Sequence, residues 1–126
     1  MKATELMIGD LIKIKGHLDY DKVQEIARDE NMQWYISFAC SATLFRAYEF
    51  EPIPLTPEIL EKNGWKETEY WHEYEDGNTI IQYSLSNIWG IINEIEIEHF
   101  KCEYVHQYQH LLRLCGLNEL ADNFKV

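Results

Sequence analysis

Basic residues are scarce in this chain of 126 residues, which has 11 Lys and Arg against 22 Asp and Glu and a net charge of -11. No run of basic residues occurs, and such runs supply the counterion release that drives binding to nucleic acids. An anionic membrane surface is disfavoured on the same grounds. We therefore expect no direct binding of nucleic acid or membrane, while imitation of a nucleic acid by the acidic surface remains an alternative.

Cysteine is rare as well. The three cysteines, Cys40, Cys102 and Cys115, are odd in number and too widely spaced to form a Cys-x-x-Cys pair. This usage fits reduced thiols better than a disulfide framework. No stretch approaches the roughly 18 apolar residues that a membrane span requires, and the first ten residues lack the apolar segment of a secretory signal. These absences predict a cytoplasmic protein.

Alternating hydrophobicity marks the first half of the chain. Runs typical of short strands are "LIKIKG", "KVQEIAR" and "MQWYISF", with "TLFRAYEF" as a further candidate. Several short strands with tight connections predict a small SH3-like barrel or a curled antiparallel sheet over residues 1–54, because a flat sheet of this size would leave its edges exposed.

The second half begins with a helix signal in "TPEILEKNGW". Thr56 is the predicted N-cap and Pro57 the predicted first helical residue, where a missing N–H does no harm. Asn63-Gly64 is the predicted end, because glycine readily adopts the left-handed conformation that closes helices.

Three antiparallel strands are predicted next, followed by a terminal helix. Asp76-Gly77 is a hairpin signal between the first two strands, and Ile91, Ile95 and Ile97 are expected to share one face of the last. Residues 55–126 thus form an αβββα lobe, and the whole chain is predicted to be an α+β protein. The three strand segments are "WKETEYWHEYE", "TIIQYSLS" and "IWGIINEIEIE".

The terminal segment "YVHQYQHLLRLCG" places His106 and His110 four residues apart, the spacing with which HExxH metallohydrolases hold zinc. Gln107 replaces the general base of that motif, and an amide cannot take a proton from metal-bound water. On a helical wheel both imidazoles lie opposite the tyrosine and leucine stripe, so we expect them to face solvent. With Cys102 one turn earlier they remain candidate ligands, but the pattern predicts no metal site, no cofactor and no catalytic residue.

A second candidate surface combines aromatic and acidic residues. Trp71 lies among tyrosines and glutamates, and Trp and Tyr are enriched in binding hot spots. Glu94, Glu96 and Glu98 alternate along the predicted last strand, where carboxylates on one face lie roughly 6.5–7 Å apart. Without a pocket around them, these glutamates read as a solvated face rather than a catalytic pair. The four residues are therefore a predicted partner surface.

Three blocks of the sequence, "MKATELMIGD", "EPIPLTPEILEKNGW" and "YVHQYQHLLRLCG", carry a resemblance that extends over nearly the whole chain. They resemble a family of short uncharacterised proteins from gut-bacterial genomes, often encoded in prophage-like regions. The resemblance implies a shared small-protein scaffold and a mobile-element context, and it carries no activity, ligand or catalytic residue. The stretch "ELMIGDLIKIKG" is also similar to SH3-like barrels, over the first half only.

The leading hypothesis from these patterns is a non-enzymatic cytoplasmic accessory or interaction protein with an unidentified protein partner. Its basis is that no catalytic constellation in the sequence is complete. One alternative is a metal-binding protein or metal-dependent hydrolase that uses His106 and His110. The other is an acidic mimic that occupies a nucleic-acid-binding enzyme.

Chain length predicts that both lobes unfold together, because each alone is small for independent stability. Differential scanning calorimetry of the full chain is expected to show one transition. Two separated transitions would contradict this expectation.

Overall fold

The computed structural model describes residues 5–16, 20–38, 41–46 (backbone only) and 50–126. The chain divides into two units, Met1–Ile53 and Pro54–Val126. Among the described residues, each unit contains one antiparallel sheet of five strands, and the helices lie in the second unit. The predicted α+β class is confirmed.

The described part of the first unit forms five strands in the sheet order β4-β3-β2-β1-β5. The long strand β2 pairs with β1 through its first residues and with β3 from Val23 onward. Among the described residues no pairing joins the edge strands β4 and β5, so these residues form an antiparallel sheet and not a closed barrel. The strands are β1 (Leu11–Ile14), β2 (Tyr20–Arg28), β3 (Trp34–Phe38), β4 (Ser41–Arg46) and β5 (Phe50–Glu51).

Alternating apolar residues from these strands form the core of the first unit. Ile12 and Ile36 are fully buried, and Leu6 from the preceding loop packs with them. The predicted run "TLFRAYEF" covers the end of β4 and the start of β5. Its residues 47–49 lie outside the described residues, as does Cys40.

The first helix, α1 (Pro57–Lys62), begins and ends where the sequence predicts. The Thr56 hydroxyl accepts a backbone hydrogen bond from the first turn, so the N-cap is confirmed. Gly64 has a φ of 86°, and the Trp65 N–H donates to the Leu60 carbonyl at 3.2 Å. This glycine closure satisfies carbonyls that the last turn leaves unpaired.

The second sheet is a meander whose five strands lie in chain order. Two-residue turns join the last four strands at Gly77–Asn78, Leu85–Ser86 and Asn93–Glu94. The Asp76-Gly77 signal therefore marks a real hairpin. The strands are β6 (Lys66–Glu67), β7 (His72–Asp76), β8 (Thr79–Ser84), β9 (Asn87–Ile92) and β10 (Ile95–Lys101).

The prediction of three strands in this unit is wrong, because two of the predicted strands are hairpins. "IWGIINEIEIE" reverses at Asn93 and Glu94, whose φ angles of 49° and 69° are typical of a type I′ turn. The Asn93 N–H donates to Thr79 Oγ1 at 3.0 Å, and its side-chain amide donates to the Cys115 carbonyl at 2.7 Å. These contacts with residues distant in sequence hold the turn, and strand periodicity cannot reveal them.

The hairpin changes which isoleucines share a face. Ile91 pairs with Glu96, whereas Ile97 pairs with Gly90, so Ile91 lies on the opposite face from Ile97. "WKETEYWHEYE" likewise divides into β6 and β7 around a loop at Thr68–Trp71, which the Thr68 N–H and hydroxyl close by donating to the Trp71 carbonyl, both at 2.7 Å.

The terminal helix α2 (Val105–Leu114) and the short helix α3 (Asn118–Asp122) pack in the core of the second unit. Tyr108 is 1% exposed, and its ring lies 5.8 Å from that of Trp65 and 5.4 Å from that of Phe124. Gly116, with a φ of 83°, ends α2 as predicted. Within the described residues, no helix combines the length and apolar character needed to cross a bilayer.

Gly90 is the position where the second sheet tolerates no side chain. Its φ is 128°, and a Cβ there would overlap with the Ile80 carbonyl oxygen on the neighbouring strand. Gly77 has a φ of 58° but open space around it.

We expect Gly90→Ala to lower the free energy of unfolding by more than about 3 kcal/mol, since it adds a backbone clash to the left-handed strain. The matched control Gly77→Ala is expected to cost about 1–2 kcal/mol, from strain alone. Urea titrations followed by tryptophan fluorescence measure both values, and equal losses in the two variants would contradict the clash.

Candidate functional site

The terminal helix does not present both imidazoles to solvent, so that prediction is wrong. His106 is only 4% exposed, and its ring stacks against Tyr104 with centroids 5.9 Å apart and planes 16° apart. His110 follows one turn later, with its ring centroid 5.5 Å from that of His106. A helical wheel assumes one buried stripe, but α2 is covered on more than one side: even Gln109 is fully buried and donates to the Ala121 carbonyl of α3.

Cys102 does not join the two histidines as a third ligand. Its thiol is fully buried, its Sγ lies 3.7 Å from the Tyr104 carbonyl oxygen, and burial raises its pKa to about 12. Metals bind the thiolate, which such burial disfavours. Among the described residues no Cys, Asp or Glu completes a group with His106 and His110.

Gln107, which stands where the HExxH motif has its general base, has a structural role. Its Oε1 accepts hydrogen bonds from the N–H groups of Glu103 at 2.8 Å and Tyr104 at 3.1 Å. These bonds fix the chain as it enters α2, in the manner of a capping box.

Trp71 belongs to an aromatic cluster on one face of the second sheet. Its ring centroid lies 6.3 Å from that of Tyr70 and 6.2 Å from that of Trp89, the latter in an edge-to-face arrangement. Tyr70 is 73% exposed. The Trp71 indole N–H is buried and, within the described part of the chain, has no hydrogen-bond acceptor.

Two cross-strand rows extend this cluster over the sheet. The first row runs Lys66, Glu73, Gln82, Trp89, and the second runs Glu75, Ile80, Ile91, Glu96. In the second row two isoleucines, 37% and 45% exposed, lie side by side between two carboxylates. We call these two rows, with Tyr70 and Trp71, the outer face.

The three glutamates of the predicted partner surface do not form one row. Glu94 lies in the Asn93–Glu94 turn, and Glu96 ends the second row of the outer face. Glu98 is exposed in the irregular part of β10, where the pairing with β9 shifts between Ile97 and Phe100. The hairpin and this bulge break the period-two alternation on which the prediction was based.

A cavity of about 750 Å³ lies between the Gly77–Asn78 turn and α3. Its ionisable lining residues are Tyr74, Asp76 and Glu119, and burial raises the pKa of Tyr74. Among the described residues that line it there is no His, Cys or Ser, and its hydroxyl-bearing residues are Tyr74 and Thr79, whose Oγ1 accepts a hydrogen bond from the Asn93 N–H.

Sequence reasoning missed a group of possible metal ligands formed by Glu61, Glu67 and His72. Their ligand atoms all lie within 4.8 Å of one another. The signal was hidden because Glu67 and His72 were assigned to one continuous strand, whereas they face each other across the β6–β7 pair.

Searches of protein-family models, curated proteins and solved structures found no match to this chain.

Cys102 provides a test of the buried environment beside α2. Because its pKa is raised from 9.0 to about 12, its sulfur stays protonated at pH 8, and the thiol should resist iodoacetamide in the native protein. Peptide-level mass spectrometry should show alkylation of Cys102 only in denaturant, with free N-acetylcysteine as the reactive control.

The same shift predicts a pH dependence of stability. The unfolded state loses this proton first, so the free energy of unfolding should fall as pH rises from 9.0 towards about 12. Cys102→Ala should reduce that slope, and rapid alkylation of native Cys102 would contradict both expectations.

Proposed function

We propose that this protein is a non-enzymatic interaction protein whose outer face binds a basic, partly apolar segment of another protein. The observation that carries the proposal is the row Glu75, Ile80, Ile91, Glu96, in which exposed apolar side chains lie between carboxylates. Exposed apolar groups framed by charge are a common feature of protein-binding surfaces.

The aromatic cluster supports the same proposal. Tyr70, Trp71 and Trp89 offer large, rigid rings with few rotatable bonds, and such residues supply much of the energy of protein interfaces. The buried Trp71 N–H costs free energy while it lacks an acceptor, about 1–3 kcal/mol for such a group.

The negative charge of the outer face favours a basic partner. Within the two rows three carboxylates, Glu73, Glu75 and Glu96, accompany one ammonium group, Lys66. A partner with Lys or Arg among apolar residues complements this face, and its cations can also lie over the indole rings. The same carboxylates disfavour a nucleic-acid partner, since they would repel phosphate.

The biological setting is part of the proposal. The resemblance to short gut-bacterial proteins of prophage-like regions favours an accessory role in a mobile element, in the cytoplasm. A basic protein segment from the host or from the element would be the partner.

Photo-crosslinking tests whether the outer face is the contact surface. A benzophenone amino acid replaces Tyr70 in one variant and Leu114 in a matched control, because Leu114 is 78% exposed on α2 and outside the outer face. In cells of the source organism, position 70 should give a discrete adduct that position 114 does not. Equal adducts at both positions would indicate non-specific capture and contradict the proposal.

Affinity measurements with the crosslinked segment then test the residues. Ile91→Ser and Tyr70→Ala should each weaken binding at least about tenfold, as truncation of an interface anchor does, whereas Leu114→Ser should not. Glu75→Lys with Glu96→Lys should slow association at low salt, and the difference should shrink at high salt. Unchanged affinity in all outer-face variants would refute the assignment.

A further inference from the structure

Three ligand-type side chains from three different elements converge at one end of the second sheet. Glu61 comes from the last turn of α1, Glu67 from β6 and His72 from β7. Glu67 and His72 are direct cross-strand partners, so their side chains project from the same face of the hairpin. Glu61 reaches the same place, with the ligand atoms of all three within 4.8 Å of one another.

The distance between two of these groups already matches metal ligation. His72 Nε2 lies 3.5 Å from Glu61 Oε1. Two ligand atoms that each lie about 2.1 Å from a tetrahedral zinc ion are about 3.4 Å apart, by the geometry of the tetrahedron. The Glu67 carboxylate is exposed, and its ligand oxygen lies within 4.8 Å of those of the other two residues.

The Nε2 atom of His72 is in an unusual environment for an imidazole nitrogen. The His72 side chain is 14% exposed, and its Nε2 atom is buried. Among the described residues Nε2 makes no hydrogen bond, and 3.5 Å to the Glu61 carboxylate is longer than the 2.7–3.2 Å of such bonds. Buried polar atoms are normally satisfied, and a cation bound at Nε2 would satisfy this nitrogen.

The donor set indicates the class of ligand. A neutral imidazole with two carboxylates offsets the charge of a divalent cation, and imidazole favours zinc and related transition metals over magnesium or calcium. Lys66, the nearest basic residue along β6, pairs with Glu73 and therefore projects from the other face of the hairpin. Three protein ligands leave a fourth position for water or for a group from a partner.

We infer that Glu61, Glu67 and His72 form a binding site for a divalent transition-metal cation such as Zn²⁺. The inference is independent of the proposed partner binding. Bound metal would join α1 to the β6–β7 hairpin and fix the base of the Thr68–Trp71 loop, which carries two aromatic residues of the outer face.

Isothermal titration with Zn²⁺ of untagged, metal-free full-length protein tests the site. One ion per chain should bind in the micromolar range or tighter, and the thermal midpoint should rise by several degrees at saturating Zn²⁺. Glu67→Gln and His72→Ala should each weaken binding at least about tenfold. Replacing Zn²⁺ with Co²⁺ should give visible absorption bands typical of low coordination number, which His72→Ala should abolish.

Matched controls come from β10, where Glu98 and His99 are exposed residues of the same types. Glu98→Gln and His99→Ala should bind Zn²⁺ as the unmodified chain does. Circular dichroism checks that each variant is folded, and Glu67→Gln, at an exposed position, keeps the test valid if His72→Ala is unstable. Absence of stoichiometric binding, or equal weakening in the control variants, would overturn the site. Neither outcome affects the crosslinking test of the outer face.

Discussion

Two-residue turns with left-handed backbone fix the register of the second sheet, and the position of the candidate residues follows from that register. The turns at Leu85–Ser86 and Asn93–Glu94 have positive φ at every central residue. Hydrogen bonds from Asn93 to Thr79 and Cys115 anchor the second of them between the sheet and the end of α2. A slip of one residue would move Ile80 and Ile91 from the outer face to the covered face.

Tyr108 lies at the centre of the packing on the opposite face of this sheet. Its buried ring contacts Trp65, which in turn contacts Tyr74 on β7, so one aromatic chain connects α2, the end of α1 and the sheet. Burial raises the pKa of Tyr108 well above its ordinary range. This packing explains why His106 is buried: the helix is enclosed by its neighbours rather than resting on them, and polar residues such as Gln109 are accommodated by specific hydrogen bonds.

Local signals in the sequence were sufficient for the ends of α1, the closure of α2 at Gly116 and the hairpin at Asp76-Gly77. Each of these depends on residues within one or two turns of each other, so the residue types alone specify the geometry. The division of "IWGIINEIEIE" into two strands was not predictable, because contacts with Thr79 and Cys115 decide it. Because long-range contacts cannot be read from local patterns, the group of Glu61, Glu67 and His72 was not predicted. For the same reason Glu94, Glu96 and Glu98 were predicted to share one strand face, which they do not. Trp71 was identified from the segment "EYWHEYE", but its contact with Trp89 required the register.

The strand order of the two sheets has a consequence for how the chain folds. In the second sheet every strand pairs with its neighbour in sequence, from β6 to β10. Such local pairing closes short loops in succession and allows fast folding. In the first sheet β1 pairs with β5, the last strand of its unit. This pairing can form only after the intervening strands have been synthesised. Although it is synthesised later, the C-terminal meander is thus the part of the chain with the lower entropic barrier to acquiring its native topology.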